Sequence, residues 1–214
     1  MIDKKQFYIN GEWVEPSQPN DFDVINPSNE EVCAKISLGG KADIDLAVKA
    51  AKDSFNDWWN FTKDEKLKLL NNLLENYISR SNEMAEAISI EMGAPIDLAT
   101  EQQSKSGEDH IRNFIKTYSD FNFEKYYNKE AGNYISYEPI GVCALITPWN
   151  WPINQIALKV LPALAAGCTM ILKPSEIAPL SGMLFAEMLH EARFPKGVFN
   201  LVNGDGPGVG TLLS

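Results

Sequence analysis

The sequence predicts an α/β protein in which part of a doubly wound parallel sheet, Rossmann-like in type, follows an N-terminal β-ribbon and a helical layer. Three short apolar runs in the second half, GVCALITP, CTMILKP and GVFNLV, alternate with helical segments. This alternation is typical of βαβ units, and uninterrupted apolar runs indicate strands that are covered on both faces. In the first half, turn-rich alternation gives way to helical spacing at about Asp43, which predicts the helical layer.

Composition limits the classes of function. The chain has 214 residues, of which 44% are hydrophobic and 22% charged, enough for one large domain. A net charge of -10 argues against nucleic acid as a partner, because phosphate binding depends on clusters of Lys and Arg. The start of the chain has no signal-like apolar region, and no apolar run reaches membrane-spanning length. We therefore expect a cytoplasmic protein without membrane contact.

The first forty residues combine short alternating runs with turn signals. FYINGEWV contains Asn10-Gly11, a dipeptide typical of hairpin turns, and DFDVINP ends at an Asn-Pro break. These features predict the β-ribbon. From Asp43 to about Glu91, three segments place apolar residues three and four apart, and a fourth helix is predicted from about Leu98 to Phe121. The run EAGNYISYE that follows predicts an extended arm or an ordinary edge strand.

The ends of the three apolar runs are the places to look for a site. In open parallel sheets, ligands bind in the crevice at the carboxyl ends of the strands. The first run ends in ITPWNWP, where two prolines and two tryptophans surround Asn150. An asparagine amide held there could donate a hydrogen bond to a developing oxyanion. The alternative is that Asn150 caps the following helix.

The second run ends in Lys173, Pro174, Ser175 and Glu176. An acidic residue at the end of the second strand of a dinucleotide-binding fold commonly accepts hydrogen bonds from the adenosine ribose, and Lys173 could reach the same ribose. The alternative is a connecting loop in which Ser175 or Glu176 caps a helix.

The third run is followed by NGDGPGVG, which predicts the start of a helix. Backbone amides at a glycine-rich helix start favour phosphate, although this segment is no GxGxxG motif and a flexible turn explains it equally well. His110 and His190 show no metal-ligand spacing, so no metal site is expected. The three cysteines, Cys33, Cys143 and Cys168, are odd in number and widely spaced, which fits inert core thiols in a reducing compartment.

Taken together and in this order, ITPWNWP, ALKVLPALAAGCTMILKPSE and GVFNLVNGDGPGVG resemble the coenzyme-binding half of the aldehyde dehydrogenases. FYINGEWV, VINPSNEEV and EMGAP are similar to the N-terminal region of the same family. The resemblance implies three parts. Residues 1–122 would be the β-ribbon and helical part of the coenzyme-binding domain, residues 123–139 an oligomerisation arm, and residues 140–214 the βαβαβ core of an NAD site.

The resemblance also implies roles for single residues. Asn150 matches the family's oxyanion-stabilising asparagine, and Lys159 a lysine sometimes assigned a charge-relay role, with a structural role as the alternative. The expected coenzyme is NAD, with NADP possible, because the Glu176 carboxylate would repel a 2′-phosphate. The expected coenzyme-contacting residues are Ile146, Thr147, Pro148, Trp149, Lys173, Ser175, Glu176, Gly206 and Gly210.

The family reaction oxidises an aldehyde to a carboxylic acid and needs a cysteine thiolate and a glutamate base. In the family both residues lie beyond the glycine-rich segment, so the resemblance implies that this chain lacks them. The chain would then be a shortened form, a proteolytic fragment or the product of an interrupted reading frame. A homodimer or homotetramer is the expected full-length assembly. The alternatives are an inactive dinucleotide-binding or subunit-interaction module, and a CoA-acylating or semialdehyde-specific relative.

Overall fold

The computed structural model describes residues 1–214, which form ten strands and seven α-helices. The strands are β1 (Ile2–Asp3), β2 (Phe7–Ile9), β3 (Glu12–Val14), β4 (Asp21–Asn26), β5 (Glu31–Ser37), β6 (Glu124–Asn128), β7 (Asn133–Ser136), β8 (Val142–Ile146), β9 (Thr169–Lys173) and β10 (Phe199–Leu201). The helices are α1 (Lys41–Trp59), α2 (Lys63–Ser79), α3 (Ser81–Met92), α4 (Ile96–Leu98), α5 (Lys105–Asp120), α6 (Pro152–Ala166) and α7 (Leu180–Glu191). No helix combines the length and apolar character needed to cross a membrane.

Five strands form the central sheet, in the order β3-β2-β10-β9-β8. Strands β8, β9 and β10 run parallel, and β2 joins β10 in the antiparallel sense. The turn between β2 and β3 has positive φ at both Asn10 (54°) and Gly11 (78°), the conformation that this dipeptide favours in two-residue hairpins. The predicted ribbon is therefore confirmed, and it extends the central sheet.

Helices cover both faces of the sheet, which confirms the doubly wound class. One face packs on α1 through a cluster that includes Ala47, Ala51 and Ile171. The other face packs on α6 and α7, and Met170 and Leu172 belong to the cluster on that side, together with residues of α2, α3 and α5. The alternation along β9 between these two clusters follows from the two-residue period of a strand.

The prediction that all three apolar runs are covered on both faces is wrong for β8. Strands β9 and β10 are buried throughout, whereas Ala144 and Ile146 of β8 are exposed. The physical reason is position, because β8 pairs only with β9 and forms the edge of the sheet. Hydrophobicity of the run alone does not distinguish an edge strand from a central one.

The helix predicted from about Leu98 to Phe121 contains an irregular segment. Residues Ala99–Ser104 are π-helical and lie between α4 and α5. Tyr77 of α2 packs here, and its hydroxyl donates a hydrogen bond of 2.7 Å to the carbonyl of Ser104. Gly107 makes room for this ring, since a Cβ at that position would lie 2.3 Å from the Tyr77 hydroxyl oxygen.

Two smaller sheets lie outside the central one. Strands β1, β5 and β4 form a three-stranded sheet, and β6 pairs with β7 in an exposed antiparallel hairpin. Both strands lie within residues 123–139, the range expected for the arm. The run EAGNYISYE predicted β7, but β6 was not predicted as a strand, because EKYYN has no alternation of apolar and polar residues. Tyr126, Tyr127 and Tyr134 of this hairpin are all more than 60% exposed.

A buried carboxylate joins the helical layer to α7. The Glu91 side chain, near the end of α3, is 1% exposed and accepts hydrogen bonds from the backbone amides of Leu180 and Ser181. Burial raises the pKa of Glu91 to about 7 and outweighs these hydrogen bonds, which act in the opposite direction. At neutral pH the carboxyl of Glu91 is therefore only partly ionised in the native chain, and its charged form is unfavourable there.

This charge predicts a pH-dependent stability. Because the native pKa of Glu91 is higher than the ordinary value of 4.5, its contribution to stability is present at low pH and is lost as the pH rises through about 7. We expect the free energy of unfolding of the wild type, relative to Glu91→Gln, to fall by about 2 kcal/mol between pH 5.5 and 8. Urea unfolding across that range measures it. Glu75→Gln, at an exposed site on α2, should run parallel to the wild type, and a flat difference for Glu91→Gln would contradict the assignment.

Candidate active site at the ends of three parallel strands

The carboxyl ends of β8, β9 and β10 meet at one edge of the central sheet. The register places Ile146 beside Lys173, and Leu172 beside Leu201. Thr147 continues this alignment, because its backbone amide donates a hydrogen bond of 3.1 Å to the Lys173 carbonyl. The segments expected to carry the site are therefore neighbours in space.

The segment after β8 presents a free amide and a buried hydroxyl. Asn150 is exposed, and its side chain makes no capping hydrogen bond to α6. The N-cap of α6 is Trp151, in a left-handed conformation with a φ of 72° and without a side-chain capping bond. The capping alternative for Asn150 is therefore wrong. The hydroxyl of Thr147 is buried without a hydrogen-bond partner, while Pro148 and Trp149 are exposed.

An ion pair forms at the end of β9. The ammonium of Lys173 lies 3.1 Å from the Glu176 carboxylate, and the Lys173 side chain is only 5% exposed. The Ser175 hydroxyl accepts a hydrogen bond of 3.3 Å from the backbone amide of Ile177. Neither Ser175 nor Glu176 caps α7, whose N-cap is Pro179. The helix-cap alternative for this segment is therefore also wrong, and both side chains belong to the loop at the sheet edge.

The segment after β10 is helical. Gly206–Gly210 form a π-helical turn, and Asp205 caps it by accepting a hydrogen bond of 2.7 Å from the Gly208 amide. The flexible-turn alternative is therefore wrong. A Cβ at Gly204 would lie 2.3 Å from a methyl group of Val209, whereas a Cβ at Gly206 would meet nothing within 4 Å. Gly204 is thus required by internal packing, and Gly206 faces open space.

The strand-end residues fit a polar ligand with several hydroxyl groups. Two buried oxygens at this edge, Thr147 Oγ1 and Asn203 Oδ1, have no hydrogen-bond partner, although such atoms in proteins are normally paired. Asn203 was not predicted as a site residue from the sequence. Its position, directly after an apolar run and before the glycines, is the feature that could have identified it. The Lys173 ammonium can donate hydrogen bonds to the hydroxyl groups of a nucleoside, and the Glu176 carboxylate can accept hydrogen bonds from them.

The remaining candidates lie apart from these strand ends or have partners of their own. Lys159 is half-buried in the middle of α6 and forms no ion pair. His110 pairs with the Asn154 side chain at 2.7 Å, and His190 with the Tyr8 hydroxyl at 3.1 Å. No three His, Cys, Asp or Glu side chains are grouped in a way that could hold a metal ion.

The three thiols are poorly placed for nucleophilic chemistry. Burial raises the pKa of Cys143 to about 11, and the neighbouring Cys168 thiol adds to the rise. Burial also raises the pKa of Cys33, and Cys168 is buried. A reactive cysteine needs a lowered pKa and access to solvent.

The doubly wound sheet and its strand-end residues define an α/β protein of the Rossmann-like class. The model of the aldehyde dehydrogenase family matches residues 13–214. The chain is 49% identical, over its whole length, to a 3-succinoylsemialdehyde-pyridine dehydrogenase from Pseudomonas sp., of which it covers 44%. The chain therefore belongs to the aldehyde dehydrogenase family.

Solved structures agree with this assignment. A crystal structure of aldehyde dehydrogenase from Bartonella henselae superposes with a TM-score of 0.97 and 56% sequence identity, over all of this chain and 45% of that one. Aldehyde dehydrogenase C from Pseudomonas syringae, solved as a mutant with NAD+ and octanal, gives a TM-score of 0.94 and 46% identity, over 97% of this chain and 42% of that one. The chain thus spans less than half the length of the relatives that it matches.

Alkylation rates test the conclusion that the three thiols are poorly placed for nucleophilic chemistry. At pH 7.5 we expect iodoacetamide to alkylate Cys143 of the native chain about a hundredfold more slowly than in the unfolded chain, because the pKa rises by about two units. Cys33 and Cys168 should also be slower than when unfolded. Mass spectrometry of tryptic peptides at timed intervals measures the three rates, with the urea-unfolded chain as control. A native thiol that reacts faster than its unfolded counterpart would contradict the interpretation.

Proposed function

We propose that this chain is the dinucleotide-binding part of an enzyme that oxidises an aldehyde to a carboxylic acid with NAD. The observation that carries the proposal is the convergence of Thr147, the Lys173–Glu176 pair and Gly206 at one sheet edge, with buried oxygens left unpaired there. Family membership supports it, as does the related Pseudomonas syringae structure solved with NAD+ and octanal.

On the adenosine side, Glu176 accepts hydrogen bonds from the ribose hydroxyls, and Lys173 and Ser175 contact the same moiety. The carboxylate of Glu176 favours NAD over NADP, because it would repel a 2′-phosphate. NADP binding is weaker in this account and not abolished, since Lys173 places a positive charge 3.1 Å from that carboxylate. Gly206 and Gly210 belong to the adenine and pyrophosphate side. A side chain at the exposed Gly206 would reduce the space for the ligand, whereas Gly210 is buried and a Cβ there would lie 3.3 Å from the Asp205 carbonyl oxygen.

On the nicotinamide side, Ile146, Thr147, Pro148 and Trp149 line the cleft. The bound coenzyme supplies the hydride acceptor for the reaction. Asn150 donates its free amide N–H to the oxygen of the aldehyde as negative charge develops there. Lys159 has a structural role in this proposal, because it lies in the middle of α6, more than one helical turn from Asn150.

The thiols of this chain do not act as the nucleophile, given their burial and the raised pKa values of Cys33 and Cys143. The chain by itself therefore binds the dinucleotide without oxidising aldehydes. The name of the 49% identical relative, a semialdehyde dehydrogenase, favours the semialdehyde-specific alternative.

The exposed β6–β7 hairpin favours a second role, in subunit contact. Three of its tyrosines are more than 60% exposed, and exposed aromatic residues are enriched at protein interfaces. We propose that residues 123–139 join subunits of a homodimer or homotetramer, and that residues 1–122 and 140–214 together form the coenzyme-binding domain.

The three unbridged cysteines support a cytoplasmic location.

Coenzyme preference tests the role of Glu176. We expect the wild-type chain to bind NAD+ about tenfold or more tightly than NADP+, and Glu176→Gln to reduce this ratio by loss of charge repulsion. Isothermal titration calorimetry with both coenzymes measures the ratio. Glu130→Gln, in the exposed turn between β6 and β7, is the matched control and should keep the wild-type ratio. An unchanged ratio in Glu176→Gln would contradict the assignment.

Two glycines in one segment separate ligand contact from folding. We expect Gly206→Ala to fold with the wild-type unfolding midpoint and to weaken NAD+ binding about tenfold, because its Cβ enters open space beside the ligand. Gly204→Ala should instead lower stability by about 1–3 kcal/mol through overlap with Val209. Thermal unfolding and calorimetry on both variants measure the two effects. Full NAD+ affinity in Gly206→Ala would place the ligand elsewhere.

A further inference from the structure

The first turn of α7 contacts two of the three strand-end segments. Gly182 lies close to Pro174, since a Cβ added to Gly182 would be 3.2 Å from the Pro174 Cβ. Met183 accepts a hydrogen bond of 3.3 Å from the Asn203 side-chain amide through its sulfur. The position of this turn therefore sets the position of the loop that carries Glu176 and of the strand end before the glycines.

The same turn is held from the other side by Glu91. Both carboxylate oxygens are used, one by the Leu180 amide and one by the Ser181 amide at 3.0 Å. No side chain of α7 itself caps this helix. Two of the amides at the N-terminus of α7 are thus satisfied by a residue of α3, about ninety positions earlier in the chain.

Glu91 has no positively charged partner in its surroundings. The Cys33 thiol on β5 is a titratable neighbour, and the Glu91 charge contributes to its raised pKa. The other charged groups between α3 and α7 form a separate cluster farther along α7, in which Arg80 pairs with Glu83, Glu187 and Glu191. No positive side chain pairs with Glu91, so the groups that favour its charged form are the neutral hydrogen-bond donors of Leu180 and Ser181.

We propose that Glu91 is a positioning residue for the adenosine side of the dinucleotide site. It holds the first turn of α7, and that turn holds Pro174 and Asn203 in the places that the ligand requires. This role rests on the proposed function, because it needs a dinucleotide bound at the strand ends. It also accounts for the retention of a buried carboxylate that lowers stability at neutral pH. Protonation of this carboxyl removes one acceptor and loosens the turn.

The test measures NAD+ binding to the full 214-residue chain by isothermal titration calorimetry at pH 8 and at pH 6. In Glu91→Gln, the side-chain NH2 faces one of the two backbone amides, so one hydrogen bond is lost. We expect its NAD+ dissociation constant at pH 8 to be about three- to tenfold weaker than wild type. The wild-type affinity should fall between pH 8 and pH 6, and this pH dependence should disappear in Glu91→Gln.

Leu189→Ala is the matched control. Leu189 is buried in the core two turns farther along α7, so this variant is destabilised without loss of the Glu91 contacts. Its NAD+ affinity and the pH dependence of that affinity should equal those of the wild type. A purely structural role for Glu91 predicts instead that both variants lose affinity in proportion to their loss of stability.

The outcomes separate the two proposals. If the wild type binds NAD+ and Glu91→Gln binds it equally well at both pH values, the positioning role is wrong and the proposed function stands. If the wild type does not bind NAD+, both are wrong. If Glu91→Gln does not fold, the wild-type pH profile still decides, because an affinity that is the same at pH 6 and pH 8 contradicts the role of the carboxylate.

Discussion

The parallel pairing of β8, β9 and β10 is the constraint on which the rest of the molecule depends. Parallel strands need crossover connections, and α6 and α7 supply them on one face of the sheet. Each crossover returns the chain to the same end of the sheet, so the three strand ends share one edge. The polar residues that follow the strands meet there without any direct sequence proximity.

A buried charge links this edge to the helical layer. Glu91 lies in α3, far from the strand ends in sequence, yet it holds the helix that follows β9. Burial of a carboxylate is unfavourable, because the charged form loses its hydration. In the proposed role, Glu91 acts through the first turn of α7, which directly follows the loop between Lys173 and Pro179. The proposed role would couple the stability of the chain to the geometry of the site through one side chain.

Much of the architecture could be predicted because it follows from local patterns. The hairpin at Asn10-Gly11 and the alternation of strands and helices after residue 140 are both short-range signals. The exposure of β8 could not be predicted, because it depends on which strand forms the sheet edge. The strand β6 and the π-helical segment Ala99–Ser104 also lack a periodic signal and depend on packing.

The same distinction between local sequence patterns and long-range packing applies to the site. Lys173, Glu176 and Asn150 were identified by their places at strand ends, and the structure brings those strand ends together. The helix-cap alternatives failed because the caps of α6 and α7 lie at Trp151 and Pro179, a matter of backbone geometry that composition does not determine. Asn203 and Glu91 were missed because their significance comes from burial and from partners distant in the chain.

Hydrogen exchange of the chain with and without NAD+ would test the central claim most directly, that the three strand ends form one dinucleotide site. The account predicts that NAD+ slows amide exchange in residues 146–150, 173–178 and 204–210 together, and leaves the β6–β7 hairpin unchanged. Slower exchange confined to one of these segments, or located in the hairpin, would contradict it.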